Sequence, residues 1–229
     1  MRSDMNTLIF DWDGTLADSI DNIVTAMQRA AVDVNLPVRT PRQVRDIIGL
    51  ALPDAVAVLY PGLDDPQQVQ RVVEAYTDNY LLLEQQPSAL FEGVHGALDA
   101  LRAEGFLLAV ATGKTRRGLD RMLASHDLDN YFDATRCADE TAGKPHPRML
   151  EEILGELGVQ AADACMVGDS EFDIIMGHNA GVLPVAVTYG AMTEEQLLRC
   201  QPGHCVDTFD EFHGWAMPRF RASQFTGVL

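Results

Sequence analysis

Short runs of branched and aromatic residues recur at 7–10, 106–111, 164–167 and 183–187, each too short for a helix and each followed by Asp, Thr or Gly. Between them the apolar positions shift to a spacing of three and four, which predicts helices over 94–104, 117–126, 147–157 and 174–180. A strand that is apolar at every position is buried on both faces. Its alternation with helices predicts an α/β fold, a doubly wound parallel sheet.

One interval breaks the rhythm. From residue 19 to residue 86 no run reads as a strand. Ile20, Ile23, Val24, Met27 and Ala31 share one helical face, as do Val69, Val72, Val73, Tyr76, Tyr80 and Leu83. Shorter helices are expected over 41–48 and 53–59, with Pro61-Gly62 and Asp65-Pro66 as breaks. The pattern predicts an all-helical insertion with hinges at 16–19 and 87–93. The chain then divides into a core of 1–17 and 88–229 and a cap of 18–87. Packing within a small bundle accounts for the apolar stripes. The insertion's position matters more, because it enters at the carboxyl end of the first strand, where open α/β sheets bind ligands.

At 229 residues the chain can bury a sizeable core, and its formal charge of −17 argues against nucleic acid or an anionic membrane as principal partner. An anionic substrate would need local cations. No apolar stretch approaches the roughly 20 residues of a membrane span, and residues 1–6 lack a secretory apolar segment. A cytoplasmic protein is expected, and the scattered Cys137, Cys165, Cys200 and Cys205 suit a reduced compartment. The Cys200 to Cys205 stretch has metal-like spacing but no further partners, so packed or idle thiols are expected there.

Aspartates follow two of the strands. Asp11 and Asp13 lie in Ile9-Phe10-Asp11-Trp12-Asp13-Gly14-Thr15-Leu16, and Asp169 and Asp173 in Val167-Gly168-Asp169-Ser170-Glu171-Phe172-Asp173. Either segment alone reads as a turn or a helix cap. Together they suggest a cation site with carboxylate chemistry, since gathered carboxylates are costly to bury. Two more polar stations reach the same edge: Thr112-Gly113-Lys114 after the second run, and Lys144 between prolines and glycine in Gly143-Lys144-Pro145-His146-Pro147. Two like charges about 4 Å apart repel by about 4 kcal/mol at an effective dielectric near 20, so four aspartates cannot all stay ionised unaided. Lys144 and a divalent cation would hold Asp11 and Asp169 anionic, leaving Asp13 as the acid most easily kept protonated.

With Asp-x-Asp-Gly-Thr first, a Thr second, a Lys third and Gly-Asp-x-x-x-Asp fourth, the chain resembles phosphatases of the haloacid dehalogenase superfamily over nearly its whole length. It is most similar to the phosphoglycolate phosphatase group. The resemblance implies a Rossmann-like core, a helical cap that serves as lid and specificity domain, and Mg²⁺. It implies Asp11 as nucleophile forming an aspartyl phosphate and Asp13 as general acid and base. An Asp11 oxygen, the Asp13 backbone carbonyl and Asp169 would hold the metal, with Ser170 and Asp173 in support. Thr112, the Gly113 amide and Lys144 would hold the phosphate. The implied partner is a small phosphorylated metabolite, with the chain a monomer or homodimer.

A phosphomutase of the β-phosphoglucomutase kind shares all four motifs and passes the phosphoryl group to a sugar. A dehalogenase fits less well, since such enzymes typically lack an acid at the position of Asp13. A non-catalytic binding or regulatory protein on the same scaffold could have lost these residues. Arg39, Arg42, Arg45, the Gly49-Leu50 turn, Lys114 and Arg116 are candidates to meet a carboxylate or sugar of the substrate, against ordinary solvated surface. His146 is a candidate to line the site by its closeness to Lys144, whereas His126, His178 and His213 read as surface or packing residues. Strand alternation turns Trp12 away from the aspartates.

Overall fold

Six strands form one all-parallel sheet: β1 (Thr7–Phe10), β2 (Leu107–Thr112), β3 (Ala134–Cys137), β4 (Ala164–Gly168), β5 (Leu183–Val187) and β6 (His204–Val206). Their spatial order is β3-β2-β1-β4-β5-β6. The computed structural model describes residues 6–224, so the ends of the predicted core, 1–5 and 225–229, lie outside the described residues. The four predicted strands are present within a residue of their expected limits. The short strands β3 and β6 were not foreseen. They are the two edges of the sheet, where pairing on one side suffices for a brief, half-polar strand.

Alternate residues of β1 feed different cores. Leu8 and Phe10 pack with α5 (Val94–Ala103), α6 (Arg116–Ser125) and α10 (Phe209–Gln224). Ile9 packs with α7 (Arg148–Leu157) and α8 (Glu171–Ala180) on the opposite face. The doubly wound expectation therefore holds. Two helices were not anticipated, α9 (Glu194–Arg199) and α10, the latter carrying Gly214 and Pro218 within its span. Phe209 and Phe212 of α10 lie against Phe10 with ring centroids 5.9 and 5.6 Å away.

The interval after β1 is helical, with α1 (Ile20–Asp33), α2 (Pro41–Arg45), α3 (Leu52–Leu59) and α4 (Pro66–Leu83). These helices bury their own apolar cluster, including Ile20, Met27, Val44, Val56, Val72 and Tyr80, which joins the rest of the chain at Ala191. The two connections run side by side. Asp18 donates its amide to the Ala89 carbonyl and Phe91 to the Leu16 carbonyl, at 2.9 and 3.0 Å. The predicted hinge segments thus pair backbone to backbone, which fixes where the helical segment leaves the sheet.

Candidate active site

The sheet changes winding direction at β1, whose neighbours β2 and β4 belong to its two halves. Crevices at such a point, outside the carboxyl ends, are where doubly wound sheets bind ligands. Asp11 directly follows β1 and Asp169 directly follows β4. The Asp11 amide still bonds the Val167 carbonyl at 2.9 Å, which holds the two strand exits level. Asp11 is 1% exposed and Asp169 fully buried.

Glycine makes this approach possible. Gly14 has φ +77°, and a Cβ there would lie 2.1 Å from Asp169 Oδ2, so no larger residue can turn the chain at this point. Asp169 is then held by donors that the sequence did not single out. Its Oδ2 accepts from the Ala191 amide at 2.6 Å and its Oδ1 from the Thr15 hydroxyl at 3.3 Å. The Thr15 of the first motif was legible as a hydroxyl beside the turn. The Ala191 amide carried no sequence signal.

Lys144 is wholly buried between two carboxylates, its Nζ 2.7 Å from Asp11 Oδ1 and 2.7 Å from Asp173 Oδ1. Asp173 is fixed from its other side by the Ser170 hydroxyl at 2.6 Å and the Ser170 amide at 3.1 Å, closing the first turn of α8. Burial acts to strip the Lys144 proton, but the two carboxylates outweigh it and raise its pKa. Burial lifts the Asp11 carboxyl to about 7 despite Lys144, and Asp173 adds to the rise. Burial, then the charges of Asp11 and Asp173, push Asp169 well above the usual carboxylate range.

Asp13 faces elsewhere. Its Oδ1 lies 3.1 Å from Lys114 Nζ and accepts from the Ser19 hydroxyl at 2.5 Å. Lys114 in turn donates to the Tyr80 hydroxyl of α4 at 3.2 Å. Asp13 stands in an ion pair with Lys114, whereas Asp11 and Asp169 lie deeper, where burial raises their carboxyl groups. Lys114 was anticipated only as a possible substrate contact. Its main partner is Asp13.

Thr112, at the end of β2, is fully buried, and its hydroxyl accepts from the Lys114 amide at 3.2 Å. Gly113 sits beneath the helical segment, where a Cβ would come within 2.8 Å of the Gly49 and Leu50 carbonyls. The Gly49-Leu50 turn thus lies over the second motif. A Cβ on Gly49 would also come within 2.8 Å of the Ser170 hydroxyl, so the turn reaches the fourth motif as well.

The donor set fits a hard divalent cation. Oxygens of Asp11, Asp169 and Asp173 lie within 4.8 Å of one another. Asp11 Oδ2 is buried and has no hydrogen-bond partner. Four carboxylates stand against the ammonium groups of Lys114 and Lys144, leaving two negative charges for a cation to balance. Asp173 enters this group although sequence reasoning placed it in support, and its bonds to Lys144 and Ser170 keep it suited to that supporting place. The Asp13 side chain is outside the group, so only its backbone carbonyl remains available as the expected ligand.

A cavity of about 130 Å³ opens beside Asp11 and Asp13, between the helical segment and the second motif. Gly49, Leu50, Gly113 and Lys114 line it as anticipated. The arginines do not. Arg39 lies over the Tyr60 ring, Arg42 pairs with Asp46, Arg45 with Asp21, and Arg116 with Glu140. The Tyr60 ring for Arg39, and carboxylates distant in sequence or one helical turn away for the other three, hold these guanidinium groups outside the cavity lining. His146 is exposed, with its ring accepting from the Arg148 amide, so it does not line the site either. His178 caps the Cys200 and Gln201 carbonyls from the surface, and His126 packs on Trp12. Trp12 is buried in the core as expected. All four cysteines are free, and Cys200 and Cys205 pack against a small apolar cluster.

Sequence comparison extends the geometry. Over 212 residues the chain is 37% identical to "Probable phosphatase IndB" of Dickeya dadantii (strain 3937), covering 91% of this chain and 92% of that one. It is 31% identical over 216 residues to a phosphoglycolate phosphatase of Vibrio vulnificus (strain YJ016), covering 90% and 94%. The crystal structure of a predicted phosphoglycolate phosphatase from Haemophilus somnus 129pt superposes with a TM-score of 0.82 at 25% identity, covering 93% and 98%. The profile of the haloacid dehalogenase-like hydrolases matches residues 8–187, a span that runs from the strand before Asp11 to the one after Asp169. With that match and these relatives, the chain belongs to the haloacid dehalogenase-like hydrolase family.

Proposed function

We propose that this protein is a Mg²⁺-dependent phosphatase that hydrolyses a small phosphate monoester through an aspartyl phosphate on Asp11. The observation that carries the reading is the unpartnered Oδ2 of Asp11, buried at the sheet's switch point while Lys144 holds Oδ1. With Oδ1 held by Lys144, Oδ2 is the oxygen left to attack. The phosphatase and phosphoglycolate phosphatase relatives support the reaction class, and make phosphoglycolate the first substrate that resemblance suggests.

Mg²⁺ at Asp11, Asp169 and the Asp13 backbone carbonyl would neutralise the phosphate oxygens and favour ionised Asp11. Asp11 Oδ2 attacks phosphorus as the bond to the leaving oxygen breaks, and Asp13 delivers a proton to that oxygen. Ser19 and Lys114 fix the direction of the Asp13 carboxyl for this transfer. Asp13 then takes a proton from the water that attacks the aspartyl phosphate, releasing inorganic phosphate and restoring Asp11. Thr112 and the Gly113 amide receive a phosphate oxygen. Lys144, held by Asp173 and Ser170, offsets charge at the attacking carboxylate.

In this reading residues 18–87 form a cap that closes over a core of 1–17 and 88–229 and limits water during the first step. The substrate is a small phosphorylated metabolite of the cytoplasm. No helix among the described residues is long and apolar enough to cross a membrane.

The test is phosphate release from an aryl phosphate with Mg²⁺, for the parent and Asp11→Asn. Asn keeps the shape and removes the nucleophile, so a loss of roughly a thousandfold or more in kcat is expected. Equal rates would remove Asp11 from the mechanism. Stoichiometric release of inorganic phosphate separates hydrolysis from transfer to a sugar.

A further inference from the structure

The cavity beside Asp11 has a chemical character of its own. Ile23, Met27, Ile47 and Leu52 form apolar walls, together with Tyr76 and Tyr80, whose rings are near-parallel at 18° with centroids 5.7 Å apart. Its two lining cations are both engaged. Lys114 is 3.1 Å from Asp13, and Arg121 Nε is 3.0 Å from Glu84 Oε2. The Glu84 side chain is 7% exposed, and its other oxygen, Oε1, is buried without a hydrogen-bond partner. The polar demand left at Glu84 is therefore for a donor, and each lining cation is already paired with a carboxylate.

Tyr76, Tyr80 and Glu84 recur every fourth residue along α4 and its C-cap, which sets them on one helical face. Sequence reasoning assigned that face to bundle packing. Tyr80 does bury in the bundle, yet both rings also line the cavity. Apolar cavities of roughly 150 Å³ admit a benzene-sized ring. At about 130 Å³ this one is of similar size.

We propose that the leaving group of the ester is an uncharged, ring-bearing alcohol that lies against the Tyr76 and Tyr80 wall and donates an N–H or O–H to Glu84. The inference rests on the phosphatase reading above and narrows its substrate class away from phosphoglycolate. A glycolate carboxylate in this cavity would meet apolar walls and the Glu84 carboxylate without a free counter-charge, and burying an unpaired anion is costly. A ring with a donor buries apolar surface and satisfies the unmet Glu84 oxygen on that wall.

The test measures kcat/KM for Mg²⁺-dependent phosphate release from para-nitrophenyl phosphate, phosphoglycolate, benzyl phosphate and para-(hydroxymethyl)benzyl phosphate. Benzyl and hydroxymethylbenzyl esters leave as similar alcohols, so their difference reports the added donor. The parent is expected to prefer benzyl phosphate over phosphoglycolate by roughly tenfold or more, and the hydroxymethyl ester over benzyl phosphate. Glu84→Gln releases Arg121 from its ion pair, so it should lose the hydroxymethyl gain and improve on phosphoglycolate. Arg121→Gln leaves the Glu84 charge uncompensated and should worsen phosphoglycolate further, a readout that stands if Glu84→Gln fails to fold. Phosphoglycolate turned over as fast as, or faster than, benzyl phosphate by the parent overturns the inference and leaves the phosphatase reading intact. Absence of a hydroxymethyl gain, or an unchanged selectivity ratio in Arg121→Gln, overturns the assignment to Glu84. No phosphate release from any of the four esters overturns both readings.

Discussion

Replacing Asp169 by Asn should stabilise the metal-free protein at alkaline pH and abolish most of its response to Mg²⁺. The Asp11 carboxyl is raised from 3.8 to about 7 in the folded chain, a shift of roughly three units worth about 4 kcal/mol. Its sign follows from proton binding. Between about pH 4 and pH 7 the folded chain keeps a proton that the unfolded chain has lost, so metal-free stability falls as pH rises through that window. Asp169, raised for the same first reason of burial, adds to the fall. For a chain of this size 1 kcal/mol moves Tm by about 2–4 °C, so the recovery available to Mg²⁺ at about pH 8 is on the order of 10 °C. At about pH 5 protons already occupy the site, and the Mg²⁺ shift should be small. Asp11 and Asp169 oxygens lie within 4.8 Å, and their repulsion at an effective dielectric near 20 is about 3 kcal/mol. Asn removes that repulsion while retaining an oxygen for the Ala191 amide. Thermal melts of both proteins at the two pH values, with MgCl₂ against NaCl of matched ionic strength, read the four terms directly. A parent shift of equal size at both pH values, or a full Mg²⁺ shift in Asp169→Asn, would refute the charge accounting.

Two further substitutions probe the neighbours. Lys144→Met removes the cation shared by Asp11 and Asp173 and leaves two buried carboxylates unpaired, so chemical denaturation should show a loss of about 3–5 kcal/mol near neutral pH, relieved on acidification. Stability that is unchanged near neutral pH would show that the triad is not ionised as drawn. Gly113→Ala keeps the backbone amide but brings a Cβ to 2.8 Å from the Gly49 and Leu50 carbonyls. The helical segment must lift, so KM for an organic phosphate should rise while the Mg²⁺ thermal shift stays. An unaltered KM would mean that the turn does not rest on Gly113 during turnover.

Local pattern carried a great deal of the fold and the identity of the acids. A strand buried on both faces must be apolar at every position, which made residues 7–10 and 164–167 recognisable and placed Asp11 and Asp169 at their ends. Helical spacing likewise marked the insertion, because one apolar face repeats along each of its longer helices. What escaped was structure whose stability is borrowed from elsewhere. Edge strands β3 and β6 are short and half-polar because one neighbour supplies all their pairing. Helix α10 carries Gly214 and Pro218, yet its aromatic residues pack on Phe10.

The amino-acid sequence alone thus determined the four inner strands, the carboxylates that follow two of them and where a helical segment enters, since each depends on residues only a few positions apart. Tertiary structure decided the partners. Thr15 reaches Asp169 across 154 positions, Lys144 inserts between Asp11 and Asp173, Lys114 chooses Asp13, and Arg39, Arg42 and Arg45 turn from the cavity to other contacts. Buried charges take whatever counter-charge and donors the packed chain brings within about 3 Å, and that distance is set by the whole fold rather than by neighbours in sequence.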